Sequence, residues 1–320
     1  FKFCDDQNLG LVDLPDFKKV LQFLTNEGKD TFEKEYGAVS PATVGTILRK
    51  VVELEQQGAD LFFGETSFNV NDLLRKDENG YGYINIVRLT DIQDKPKLFS
   101  TFMLSLLAEV YAKFPERGDV EQPELIIFLD EAHLIFDSAT KALKDQLESI
   151  IKLIRSKGVG IFFCTQNPND IPESILAQLG LKVQHALRAF TAKDRQAIKL
   201  VAQNYPETSF YQVEDLITQL GIGEAFVTAL NEKGIPTPLV HSIMTPPQSR
   251  MDILNEEEMK TLIQKSNLYR KYKDTIDPES AFEILSAKME QLQQQEAEAE
   301  QAKAEAKAAK VTSKPGRVEK

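Results

Sequence analysis

Asp130 and Glu131 stand side by side where a five-residue apolar run, LIIFL (125–129), ends, and Ala132 and His133 follow them. Further on, a second apolar run, VGIFFC (159–164), ends on Thr165 and Gln166, just before the turn-forming pair Asn167-Pro168. An Asp at a strand end can hold the magnesium that bridges nucleotide phosphates, directly or through water. A carboxylate on the next residue can face the terminal phosphate, orient the attacking water and take its proton. Two adjacent acids repel each other in a low-dielectric cleft unless a cation neutralises them. An amide or hydroxyl at the neighbouring strand end can sense a γ-phosphate. The plainer alternative for the acids is the start of a helix, where negative charge suits the amino end. For Thr165 and Gln166 it is an ordinary strand exit. The two strand ends taken together favour a magnesium–nucleotide site.

That site needs the two runs to be neighbouring parallel strands, because ligands of open α/β sheets sit beyond the carboxyl ends. Both runs are wholly apolar, as strands covered on both faces are. Between them TKALKDQLESIIKLIRSKG puts Leu143, Leu147, Ile150, Ile151 and Ile154 on one helical stripe. KLFSTFMLSLLAEVYAKF (97–114) predicts an apolar helix buried on most sides. After the second run come VQHALRAF, a helix over 192–203, then EAFVTAL and PLVHSI joined through a hairpin turn at NEKG. This element order is α/β.

Upstream, residues 12–57 are predicted helical. DLPDFKKVLQFLTNEG carries Phe17, Val20, Leu21 and Leu24 at helix spacing, with Pro15 in the first turn and Gly28 after the end. SPATVGTILRKVVELEQQG has Ser40 as cap, Pro41 at the first helical position and Gly58 as stop. YGYINIVRL, after the turn DENG, has a strand pattern. Residues 255–310 are helical and charged, and their closing tract MEQLQQQEAEAEQAKAEAKAAK has no apolar stripe to bury. SKPGRVEK (313–320) is expected to be disordered. The expected organisation is a core over 1–250 with a helical insertion at about 12–75, then a helical charged region and tail over 251–320.

At 320 residues there is room for one large domain or two ordinary ones. Hydrophobic content of 42% and charged content of 27% describe a globular chain with a real core. No run of 18 apolar residues exists, so no transmembrane helix is expected. FKFCDDQNLG has neither a basic nor an apolar signal-peptide region, and the start without Met is taken as the cut end of a longer protein. Cys4 and Cys164, far apart and the only cysteines, point to free thiols in a reducing cytoplasm. Three histidines without a Cys-x-x-Cys pair leave no structural zinc site. The net charge of −11 argues against a uniformly basic nucleic-acid coat but not against a local basic channel.

LIIFLDEAH, RSKGVGIFFCTQNP, VQHALRAFTAKDRQAIKLVA and LGIGEAFV, in that order, resemble the core of the HerA/FtsK class of RecA-like motor ATPases. More narrowly, YGAVSPATVGTILRKVVELEQQGADLFFGE, GDVEQPELIIFLDEAHLIF, GIGEAFVTALNEKGIPTPLV, PPQSR and DPESAFEIL resemble the bacterial HerA-like ATPase family with its C-terminal region, over residues 1 to about 290. The resemblance implies a RecA-like P-loop fold and ATP hydrolysis with magnesium. It also implies a homo-oligomeric ring, with a hexamer as one form, that moves or unwinds DNA as a helicase or translocase. Asp130 and Glu131 match the Walker B pair, Asp130 as the magnesium ligand, and Gln166 matches the sensor glutamine. One departure is large: the phosphate loop G-x-x-x-x-G-K-[ST] occurs nowhere in these residues. The nearest stretch, SPATVGTILRK, lacks the Gly-Lys-Thr end. In the family that loop lies upstream of where this chain begins, so the chain is expected to be inactive alone.

The letters DEAH invite a DEAH-box helicase reading, but that class should show Ser-Ala-Thr on the next strand and a Gln-x-x-Gly-Arg-x-Gly-Arg segment later, and neither occurs. His133 is therefore expected to pack or cap. Arg155 and Arg188 are candidates for an arginine that stabilises transition-state charge, in the same or a neighbouring subunit. Arg155 is favoured because its helix end is expected beside the sheet's carboxyl edge. The plainer alternatives are a helix C-terminal cation for Arg155 and a strand residue paired with an acid for Arg188. The competing function is a non-catalytic assembly or regulatory module. Metal-dependent hydrolysis of another substrate needs more ligands than this histidine-poor chain offers.

Overall fold

The computed structural model describes residues 1–118, 120–137 and 139–312. Its elements run α1 (Lys2–Asp6), α2 (Leu14–Thr25), α3 (Lys29–Tyr36), α4 (Pro41–Gln56), α5 (Pro96–Lys113), β1 (Leu125–Leu129), α6 (His133–Asp137), α7 (Lys141–Leu153), β2 (Val159–Phe163), α8 (Glu173–Leu176) and β3 (Lys182–Gln184). They continue with α9 (Ala192–Gln203), α10 (Val213–Gln219), β4 (Glu224–Thr228), β5 (Val240–Ile243), α11 (Glu256–Lys265), α12 (Asn267–Tyr272) and α13 (Ala281–Thr312). The expectation of disorder for 313–320 lies outside the described residues.

Contacts divide the chain into two units, Phe1–Phe68 with the described part of Leu262–Lys320, and Asn69–Thr261. In the first, α2 starts on a capping box: Asp13 accepts from the Asp16 amide at 3.0 Å and Asp16 accepts from the Asp13 amide at 3.2 Å. Asp16 is fully buried. Its carboxylate also takes the Val12 amide at 2.8 Å and, from the start of α13, the Ser280 hydroxyl at 2.5 Å and the Phe282 amide at 2.7 Å. Burial pushes this carboxyl up, but the bonds from Ser280, Val12, Phe282 and Asp13 outweigh it and leave it below its ordinary value. The core beneath joins Phe3, Cys4, Val20 and Phe23 to Ala281 and Leu285, with Met289 and Leu292 packed against it. Those four C-terminal residues form a stripe at helix spacing, so the head of α13 does pack. This corrects the expectation that the tract from Met289 has nothing to bury.

In the second unit α5 packs on α6 and α7. Leu107, Val110, Ile135 and Leu147 are fully buried, each worth about 1.5–3 kcal/mol relative to exposure. Thr140 caps α7 by accepting from the Leu143 amide at 3.3 Å. Its stripe buries Leu147 and Ile150, and Ile154 just beyond is buried as well. Glycine ends the turn that follows: Gly158 has φ +72°, left-handed, and donates to the Arg155 carbonyl at 2.9 Å.

The α/β class holds, but the sheet is in two pieces. β1 and β2 pair in parallel, Leu125 opposite Val159 through Leu129 opposite Phe163. β3, β4 and β5 form a separate antiparallel sheet, with α9 and α10 packed on Phe226. The hairpin turn expected at NEKG is present: Asn231 Oδ1 accepts from the Lys233 and Ile235 amides, and Gly234 has φ +73°. Two expectations fail here. Ile126 and Phe128 of β1 and Phe162 of β2 are exposed, the two rings stacked at 4.7 Å, because no layer covers that face among the described residues. YGYINIVRL forms only a bridge between Lys76 and Gly82. Ile84 and Ile86 beyond it stay exposed, with no partner strand among the described residues.

Candidate functional site

The parallel register sets β1 and β2 ending side by side. Backbone bonds carry the pairing past both strands: the Cys164 amide donates to the Leu129 carbonyl, and the Ala132 amide to the Cys164 carbonyl, each at 2.9 Å. Asp130–Glu131 and Thr165–Gln166 are thereby neighbours. Ala132 is fully buried, which anchors the turn from below.

Between strand and helix, Glu131 adopts φ +47°, a left-handed conformation that costs a residue with a Cβ about 1–2 kcal/mol. The turn is closed by the Glu131 amide donating to Asp130 Oδ1 at 3.0 Å and by the Leu134 amide donating to the Glu131 carbonyl at 3.0 Å. Asp130 is exposed, and Glu131 is half-buried. Gln166 Nε2 donates to Glu131 Oε1 at 3.2 Å, a bond between residues 35 apart in sequence. The other oxygen, Oε2, lies 3.3 Å from His133 Nδ1. That separation lacks the angles of a hydrogen bond, and both atoms are buried with no hydrogen-bond partner. The short distance is therefore a contact, not a formed bond. Partial burial, and then the Asp130 charge, raise the Cys164 thiol above its usual value.

Thr165 does not reach the acids. Its hydroxyl turns into its own loop, 3.5 Å from the Asn167 carbonyl and 3.4 Å from Asp170 Oδ2. Arg155 lies on the single turn Ile154–Lys157 that precedes β2, so it sits at the amino edge of the sheet. This corrects its expected place at the carboxyl edge. A crossover between parallel strands must return the chain to the amino end. The five strand residues put roughly 16 Å between that edge and Glu131. The turn is fastened there by the Arg117 amide donating to the Ser156 carbonyl at 2.7 Å, and by Lys157 paired with Glu116 at 2.9 Å. Arg188 caps α10: its guanidinium donates to the Thr218 carbonyl and, at 3.2 Å, to the Leu220 carbonyl. These partners are carbonyls rather than the acid of the plainer alternative.

His133, expected from the sequence only to pack or cap, is the residue whose place beside the Glu131 carboxylate the sequence did not foretell. Its spacing of two from Glu131 is unremarkable on a helix, and only the left-handed turn aims it back at the carboxylate. A cavity of about 170 Å³ is lined by Pro168, Glu173, Lys182, Asn204 and Tyr205 and by none of these groups. Among the described residues no three His, Cys, Asp or Glu side chains cluster to hold a metal unaided. Magnesium does not require such a cage, since it keeps several waters and uses one or two carboxylates plus substrate phosphates. Asp130, exposed with Oδ2 free of the turn bond, fits that role.

The family model "Helicase HerA-like C-terminal" matches residues 1–319. The probable helicase MJECL08 of Methanocaldococcus jannaschii is 30% identical over 170 residues, which is 50% of this chain and 30% of that protein. The chain thus spans under a third of this curated relative's length. A solved structure, the genome packaging NTPase B204 from Sulfolobus turreted icosahedral virus 2 in complex with AMPPCP, is 12% identical. It covers 68% of this chain and 93% of its own, with a TM-score of 0.31, too low to place the fold.

Proposed function

The chain belongs to the helicase HerA-like C-terminal family, and from that premise we propose that it carries the hydrolytic half of an ATP-driven motor of RecA-like fold that moves or unwinds DNA. The observation that carries the reading is the 3.2 Å bond between Gln166 and Glu131 at the ends of two parallel strands, with Asp130 beside them. Asp130 is the residue that would hold magnesium. The bound ion supplies positive charge to the phosphates and to the two adjacent acids.

Glu131 takes the proton from the water that attacks the γ-phosphorus, as the bond from that phosphorus to the ADP oxygen breaks. Gln166 exchanges Glu131 Oε1 for the γ-phosphate or the water, which frees that oxygen to accept the proton. Thr165 holds the loop that carries Gln166. No residue in the 320 supplies a G-x-x-x-x-G-K-[ST] phosphate grip, so the tests belong to the full-length protein. The ring and the DNA substrate rest on the family alone.

The decisive experiment is Glu131→Gln in the full-length protein. Nucleotide binding persists and hydrolysis falls on the order of 100-fold or more, the scale of a lost general base. Asp130→Ala weakens magnesium-dependent nucleotide binding instead. Normal hydrolysis by Glu131→Gln overturns the assignment. A non-catalytic assembly module would show no magnesium-dependent nucleotide binding in the full-length protein at all.

A further inference from the structure

We propose that His133 is a positioning residue that fixes the Glu131 carboxylate while Gln166 is away from it. The inference rests on the reading of Glu131 as the base. The two oxygens of Glu131 are in different situations. Oε1 has the Gln166 amide, a partner that must leave if it is to meet nucleotide or water. Oε2 is buried and has no hydrogen bond, and 3.3 Å away the buried Nδ1 of His133 has none either. A buried donor or acceptor left without a partner costs about 1–3 kcal/mol, yet here two of them face each other.

A small rotation of the imidazole, in the tautomer with the proton on Nδ1, satisfies both atoms at once. The carboxylate then keeps one fixed hydrogen bond throughout the cycle. Gln166 is exchanged on Oε1 while His133 stays on Oε2. Without His133, release of Gln166 leaves the carboxylate free to turn about its terminal torsion, which has only a broad, soft preference. Its free oxygen then loses alignment with the water. The imidazole touches no reacting atom in this scheme and acts only through Glu131.

The test is steady-state ATP hydrolysis by the full-length protein carrying His133→Ala, His133→Asn or His133→Gln, each also combined with Glu131→Gln. Asn places an amide N–H near the position of Nδ1, whereas Gln of similar bulk places it farther out. His133→Ala is expected to lower kcat about 10-fold with KM unchanged, a loss of the size that a sub-ångström misplacement produces. His133→Asn recovers most of that rate and His133→Gln does not. None of them lowers the residual rate of Glu131→Gln further. Equal rates for the Asn and Gln variants, or losses that multiply with Glu131→Gln, overturn the proposal, and the Asn–Gln comparison decides even if His133→Ala does not fold. Normal hydrolysis by Glu131→Gln alone instead overturns the underlying assignment of the base, whatever the His133 variants do.

Discussion

Glu131 combines a proposed chemical role with a backbone that its side chain disfavours. At φ +47° a glycine would be at ease, and the Cβ that carries the carboxylate is the source of the strain. Glu131→Gly in the 320-residue chain should therefore raise the unfolding free energy by up to about 1 kcal/mol, the strain relief exceeding the extra entropy of glycine in the unfolded chain. Chemical denaturation checks this, and a clear loss of stability would show that the turn is held by the side chain's contacts instead. The same substitution abolishes hydrolysis in the full-length protein, so stability and proposed activity move in opposite directions at one residue. Gln166→Glu supplies a second check, because it removes the donor and sets two carboxylates against each other. Its expected result is a loss of hydrolysis that Gln166→Asn, with a shorter reach, shares only in part; normal turnover by Gln166→Glu would show that the amide bond to Glu131 has no part in the cycle.

At the scale of elements, the clasp of α2 on α13 through Asp16 is the most testable. Asp16 has a folded-state carboxyl below its ordinary value of 3.8, so its contribution is present above that value and is lost as pH falls through the folded one. Asp16→Ala should speed hydrogen exchange of α2 and α13 amides at neutral pH, equivalent to about 2–4 kcal/mol for a buried charge-assisted network. The difference should shrink as the pH is taken well below 3.8; an effect that is the same at neutral and at such acid pH would contradict the charge-based account. The clasp itself is half legible in the sequence: Asp13, Pro15 and Asp16 announce a helix start, but nothing local says that Ser280 completes it. The pairing of LIIFL with VGIFFC is legible because two apolar runs flank one striped helix. Their bare face is not, since periodicity records the side chains and not the layers above Phe128 and Phe162. YGYINIVRL has a strand's alternation without a strand's neighbour. The stripe of Ala281, Leu285, Met289 and Leu292 is diluted by the polar residues that follow it. The place of Arg155 was open to inference from the crossover rule, whereas the aim of His133 depends on one dihedral that composition does not reveal.

For the molecule as a whole, the 320-residue chain alone is expected to bind ATP weakly and turn it over negligibly, as it has no phosphate loop. Magnesium-dependent hydrolysis by the purified chain at the rates of a motor enzyme would refute this. If the full-length protein forms a ring, the amino-edge position of Arg155 makes it a candidate only for a neighbour's site. Mixing full-length Arg155→Ala with full-length Glu131→Gln then restores some activity, because certain interfaces join two intact residues. No recovery despite demonstrated subunit exchange counts against a role in trans, and recovery only with Arg188→Ala moves that role to Arg188. The first unit, finally, is assembled from the two ends of the chain. Asp16 and Ser280 are 264 positions apart, which a ribosome covers in roughly 13–53 s at about 5–20 residues per second. Throughout that interval Phe3, Val20 and Phe23 are made but the helix that shields them is not. The nascent chain therefore presents a sticky surface to the cell throughout that interval, and each molecule that stalls or is cut before Ala281 keeps that surface for good.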